Sequence, residues 1–215
     1  MNSPSERTRV RRNASRAEYA PEIINGILDA NRICHAAYVQ SGEPRIIPTL
    51  FMRRGEYVYL HGNRQSALLR HLAAGGVAAL SVMSVEGVVV ARSGFHCSMN
   101  YHSVVLFGQG EPVPDAEHEG VLEQFVEALI PGHLEGLRRA TPQELAATLA
   151  VRMPLREASA KIRTGDPIDD PNDLQADVWA GVIPLLTAVG SPVPSGDLKA
   201  GIEAPDYLRA YEVRP

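Results

Sequence analysis

Cysteine is scarce in this chain: of 215 residues, only Cys34 and Cys97 carry a thiol. They form no CxxC pair, which excludes a disulfide framework and leaves no metal-ligand set, and a reduced, cytoplasmic setting is expected. Lysine is rarer than its charge class demands. Lys161 and Lys199 stand alone, so nearly all positive charge is arginine. The balance is still acidic, at a formal net charge of −4, whereas a general nucleic-acid binder is basic; no nucleic-acid partner is expected. Long apolar runs are missing too. The nearest approach, residues 75–85, is short and ends at Glu86, so no membrane partner is expected. No hydrophobic leader follows Met1. A GxSxG nucleophile elbow is absent, and Gly108-Gln109-Gly110 runs into Pro112 and Pro114 instead of a helix, which rules out a dinucleotide fingerprint.

What is present is an ordinary core-forming composition, 45% hydrophobic and 21% charged, with an uneven distribution of polar chemistry. Residues 94–108 run from a loop dense in His96, Cys97, Ser98, Asn100, Tyr101, His102 and Ser103 into the apolar Val104-Val105-Leu106-Phe107. Packing alone does not ask for that density, and connections rich in polar groups are where sites sit.

The residue pattern predicts a basic N-terminal arm over 1–18, a main domain over 19–190 and a C-terminal extension over 191–215. Pro21 opens a helix over 21–31, and strands follow at 33–40, 45–52 and 56–61, the first two separated by a Gly-Pro-containing turn. A helix at 65–73 precedes strands at 77–84 and 87–93, read as meeting in a Val85-Glu86-Gly87 turn, and a sixth at 101–111. Helical spacing resumes after Asp115, and Thr141-Pro142-Gln143-Glu144 is a capping box. Two shorter strand candidates, 151–157 and 159–164, precede an acidic loop and a final strand at 179–189. Short antiparallel strands with helices between them indicate a mainly β, α+β chain forming a closed or partly closed barrel.

Three places could hold a ligand. Strand 56–61 runs into Gly62 and a helix whose first N–H groups lie beside Asn63, Arg64 and Ser66, donors that suit a phosphate or serve plain capping. Alternation along 45–51 sends Arg45, Ile47 and Thr49 to one face and Ile46, Pro48 and Leu50 to the other. Pro48 removes a ladder donor there, marking an edge or break whose backbone could bond a planar heterocycle. Lys161 and Arg163 place two cations on one strand face, for a phosphate or for the acidic loop beyond. Trp179 is expected to fill the core, with stacking on a ligand as the alternative. His118, His71 and His133 are expected at the surface.

In this order, Ile47-Pro48-Thr49-Leu50, Leu60-His61-Gly62, residues 95–101, residues 159–165 and Trp179-Ala180-Gly181-Val182-Ile183-Pro184-Leu185 resemble the pyridoxamine 5'-phosphate oxidase-like FMN-binding split barrels. The bacterial flavin-nucleotide-binding branch, related to nitroimidazole-resistance reductases, is the most similar part of that family. The resemblance implies a six-stranded antiparallel split barrel with flanking helices, acting as a homodimer with a flavin between subunits. It implies a flavin-dependent oxidoreductase of an unknown small-molecule substrate or, alternatively, a flavin- or haem-binding protein without fast turnover. FMN is the implied flavin, with FAD as the alternative because Ala67 and His102 stand where the family has basic residues. Ile47, Pro48, Thr49 and Leu50 would face the ring; His61, Gly62, Asn63, Arg64 and Ser66 the ribityl chain and phosphate; Tyr101, His102, Ser103 and Val104 the cofactor from the adjoining strand. Lys161, Arg163 and Trp179 complete the set, with His96, His102 and Tyr101 as proton donors or substrate contacts. A haem would draw its axial ligand from His35, His61, His96 or His102.

Overall fold

The structure, a computed structural model, describes residues 5–211. Ten strands among them form one antiparallel sheet: β1 (Ala17–Glu18), β2 (Ile33–Gln40), β3 (Glu43–Arg54), β4 (Tyr57–Asn63), β5 (Val77–Val90), β6 (Ser98–Gln109), β7 (Glu111–Pro112), β8 (Thr148–Pro154), β9 (Glu157–Arg163) and β10 (Gly181–Pro184). Five helices flank it: α1 (Pro21–Asp29), α2 (Ala67–Ala73), α3 (Asp115–Leu129), α4 (Pro142–Ala147) and α5 (Asp206–Arg209). The strand order is β1-β9-β6-β5-β2-β3-β4-β8-β7, with β10 paired to β5. This is the mainly β split barrel implied by the sequence, although the sheet has ten strands, not six.

Long β3 turns the corner between the two halves. Its residues from Glu43 to Leu50 pair with β2, and Phe51 to Arg54 pair with β4. The chain crosses back at Leu155-Arg156, since β8 pairs with β4 whereas β9 pairs with β6. Strand alternation then builds the interior: Cys34, Ala36 and Tyr38 of β2 are buried with Leu80, Val82, Val104 and Leu106, facing Val58, Leu60, Val151 and Met153 of the other half. The apolar stripes of α1 (Ile24, Ile27, Leu28) and α2 (Leu68, Leu69, Leu72) complete this core.

The outer surface is unequal. Over β4 and β8, α3 lays Val121 and Phe125 against Met52, Tyr59 and Ala150. Over β2, β5 and the start of β3, no helix does the same, and Ile33, Ile46 and Met83 are 50%, 65% and 60% exposed.

Several expectations need correction. The two strands read at 77–84 and 87–93 are the single strand β5, with a bulge where a turn was expected: Val85 pairs with Tyr101 and Gly87 with Asn100, leaving Glu86 over. Glycine stands at 87 because of close packing. A Cβ there would lie 2.8 Å from Val182 Cγ1 and 3.1 Å from the Ile183 carbonyl oxygen of β10. The final strand is only the four residues of β10, and Trp179 is 65% exposed instead of core, its ring lying on Gly181. Residues 7–10 of the basic segment lie against the rest of the chain. Thr8 is buried, Arg7 pairs with Glu157 and sits over the Phe107 ring, and the Val10 N–H donates to the Tyr19 hydroxyl.

Candidate cofactor groove

Strands β2 and β5 are paired only where His35–Tyr38 meet Ala78–Ser81. Past His35, β2 stays with β3 and leaves β5. The abandoned edge of β5 is covered again only at Gly87, by β10, and at Glu86, whose carbonyl accepts the Leu185 N–H. Between these points, Val82–Val85 face no strand on that side. A groove of about 1190 Å³ opens at the split, lined among others by Ile27, Ile33, His35, Met83, Glu86 and His102. Its apolar wall and uncommitted backbone groups suit a flat ring that buries its faces and hydrogen-bonds along its rim.

A second open edge lies on β3. The Phe51 N–H donates to the Arg32 carbonyl, toward β2. By alternation, Pro44, Ile46, Pro48 and Leu50 turn their backbone groups outward, over a stretch that β4 does not reach. Pro48 therefore costs no ladder bond; it guards an edge, as the sequence indicated. Ile47 and Thr49 lie on the opposite face, beside Ala36 and Cys34.

Around α2 the residues mostly serve the turn itself. Asn63 Oδ1 accepts the Gln65 N–H at 2.8 Å, and Ser66 Oγ accepts the Leu69 N–H at 3.5 Å. Arg64 is tied down, its Nε and Nη2 donating to the carbonyls of Ala146 and Thr148. At Gly62 a Cβ would stand 3.3 Å from Leu69 Cδ1, so the glycine lets α2 approach. His61 turns under α3, its ring centroid 4.1 Å from that of Phe125. Its Nδ1 is buried without a partner, and burial lowers its pKa below the ordinary histidine value.

The β6 candidates divide by face. Tyr101 and Ser103 lie on the outer wall, whereas His102 faces inward toward the groove and Val104 is core, 1% exposed. His102 Nδ1 is 2.8 Å from Glu86 Oε1. His96 belongs to the turn after β5, where its ring meets Phe95 edge-on beside the Arg92–Asp169 ion pair. The three proposed proton donors are thus not brought together. On β9, Lys161 is half-buried beside Ser103, but Arg163 is not available to a ligand. It is 5% exposed and donates to Asn100 Oδ1 and to the carbonyls of Gly165 and Asp166, with burial lowering its pKa. Two of the three expected surface histidines, His71 and His133, hold structural contacts. His71 Nε2 meets the Val77 carbonyl at 3.0 Å, His133 Nδ1 meets the Tyr207 hydroxyl at 2.8 Å, and His118 Nε2 is buried without a partner.

Of the two thiols, Cys34 is buried and Cys97 exposed. Burial pushes the Cys34 thiol up to about 12, and no group of three metal-binding side chains occurs among the described residues. A smaller cleft of about 640 Å³ between α3 and α4 is lined by Leu122, Val126 and Leu137, and none of the site candidates named from the sequence lines it. Glu86, like Ile27, Ile33 and Met83, is a groove residue that sequence reasoning missed. Its signal was hidden because a bulge next to glycine reads as a turn.

A profile described as pyridoxamine 5'-phosphate oxidase matches residues 21–162. The chain belongs to the pyridoxamine 5'-phosphate oxidase family. Among solved structures, the flavocytochrome Anf3 from Azotobacter vinelandii is similar at 36% identity and a TM-score of 0.93, covering 99% of both chains. An FAD and haem binding protein from Mycobacterium smegmatis shares 38% identity at a TM-score of 0.87, over 91% of this chain and 96% of that one. A 5-nitroimidazole antibiotic resistance protein from Bacteroides thetaiotaomicron has the same family fold at 14% identity and a TM-score of 0.58, covering 68% and 86%. No curated protein matches the chain. No helix among the described residues is long and apolar enough to cross a membrane.

Proposed function

We propose that this chain binds a flavin nucleotide at the β2–β5 split and serves as a flavin-dependent oxidoreductase of a small organic molecule. The observation that carries the reading is the groove itself, which combines apolar walls with an uncommitted strand edge. Two relatives above 35% identity, a flavocytochrome and an FAD and haem binding protein, support it. Ile33, Met83 and Ile27 would pack the ring, and the β5 edge would bond its rim. Backbone groups at Pro48 and Leu50 offer a second edge for a part of the ligand reaching out of the groove. When bound, the flavin supplies hydride and single-electron transfer, and the protein supplies position and electrostatics.

The flavin proposed is FAD. A phosphate on α2 would find the Arg64 guanidinium committed and the Gln65 and Leu69 N–H donors already taken by Asn63 and Ser66. Arg70 and Lys161 remain to balance its charge, and Trp179, exposed beside β10, offers a face on which an adenine could stack.

The bare wall of β2, β3 and β5 supports a homodimer. Contiguous exposed apolar surface on a soluble protein marks an interaction site, and a second copy covers it with its own equivalent. The decisive experiment is the visible spectrum of the purified full chain, with mass identification of what it releases on denaturation. A yellow, dithionite-bleachable band and released FAD are expected; a colourless protein that takes up neither FAD nor FMN from excess overturns the reading.

A second reading, that haem binds as well, is supported by those same two relatives. His35, His61, His96 and His102 are the candidate axial ligands, and a Soret band on hemin titration that vanishes in one single-histidine variant identifies the ligand. Spectra identical to free hemin dispose of haem binding.

A further inference from the structure

The bulge in β5 brings a carboxylate to the imidazole of His102. An extra residue in one strand leaves the ladder and re-aims its side chain, and bulges of this kind recur next to active sites. Here the extra residue is Glu86, and the imidazole it meets belongs to His102, which pairs with Ser84 two positions earlier on β5. The Oε1 to Nδ1 distance is 2.8 Å, with the two side chains 43% and 31% exposed. A pair so accessible to water adds little to stability. Both residues nevertheless line the groove.

We propose that Glu86 and His102 form a proton-delivery pair for an organic acceptor whose oxygen takes up a proton as it is reduced, such as a quinone-type carbonyl. The carboxylate, 2.8 Å from Nδ1, draws the ring proton to that nitrogen and leaves Nε2 as the working atom. In the step, the Nε2–H bond of the imidazolium breaks and an O–H bond forms on the acceptor. The electron pair of the broken bond stays on nitrogen, and the neutral imidazole regains a proton from water. Glu86 is the positioning residue. The remaining charges around the ring are few. On β9 the facing residue is Ile162, with Lys161 and Arg163 on the other face, and α1 presents Ile23, Gly26 and Ile27, followed by Ala30. Across the groove stand His35 and Arg32, whose Nη1 donates to the carbonyls of Asp29 and Asn31.

This proposal rests on the flavin reading for its source of electrons, so the test has two independent readouts. The first uses the chain without cofactor: long-range proton–nitrogen NMR of ¹⁵N-labelled protein above neutral pH. His102 is expected as the Nδ1–H tautomer in the wild type, reverting in Glu86→Ala to the Nε2–H form that isolated histidine prefers. The second compares reoxidation of the dithionite-reduced, flavin-loaded chain by 1,4-benzoquinone, which takes up protons, and by ferricyanide, which takes none. The ratio of the two rates is expected to fall about 10²-fold in His102→Ala and Glu86→Ala, with Glu86→Asp restoring part of it. A wild-type Nε2–H tautomer, or a rate ratio unmoved by both alanine variants, overturns the pair while leaving flavin binding intact. The expected tautomer switch in a protein that takes up no flavin supports the pair and overturns the flavin reading instead.

Discussion

The two outer walls of this barrel are built from the same kind of strand and finished differently. Over β4 and β8, α3 inserts Phe125 and Val121, which are 4% and 1% exposed, and the wall becomes a second core. Over β2 and β5, equivalent outward positions carry Ile33 and Met83, which stay 50% and 60% exposed among the described residues. Where alternating apolar residues face outward under a helix, they contribute to the stability of the monomer. Where they face outward bare, they are surface held ready for something else.

Three substitutions test that contrast. Phe125→Ala empties the covered wall and is expected to have the largest effect, a loss of about 3–5 kcal/mol of unfolding free energy, read from urea denaturation. A loss near zero would show that α3 is only loosely laid on β4. Met83→Asp charges the bare wall. It should leave the urea midpoint of dilute protein nearly unmoved but weaken self-association by about 30-fold, corresponding to roughly 2 kcal/mol for a central interface residue. Sedimentation at a series of concentrations measures it, and unchanged association would place the dimer contact elsewhere. The smallest effect is His61→Leu. Burial beneath α3 opposes protonation of His61, so its folded pKa lies below the unfolded one. The unfolded chain then binds more protons as pH falls through about 6.5. Stability is full above that pH and declines below it in the wild type, and this part of the decline should disappear in the variant. Parallel pH profiles for the two proteins would mean that the buried ring is freely protonated in place.

Much of the barrel was readable from residues alone, because alternation and turn chemistry are local. The edge at Pro48, the helix at Pro21 and the capping box at Thr141 all follow from properties of a few adjacent residues, and the structure contains each of them. What escaped depends on neighbours distant in sequence. Val85-Glu86-Gly87 looks like a turn until β10 is known to press against Gly87, so the continuity of β5 and the aim of Glu86 were both hidden. Arg163 looks like a ligand cation because nothing nearby in the sequence reveals that Asn100 will take it, 63 positions away. Val104 follows three polar residues yet lies wholly inside, since the face it occupies is fixed by pairing across to Val82.

The placement of β10 has a consequence for size selection. The slot beside β5 is stopped at one end by the pairing at Ser81 and at the other by the bond from Leu185 to Glu86. At about 3.3 Å per residue its length is roughly 17 Å, and neither stop involves a side chain that a point substitution could shorten. In the proposed reading, β10 and Leu185 bound the length of what lies along the strand.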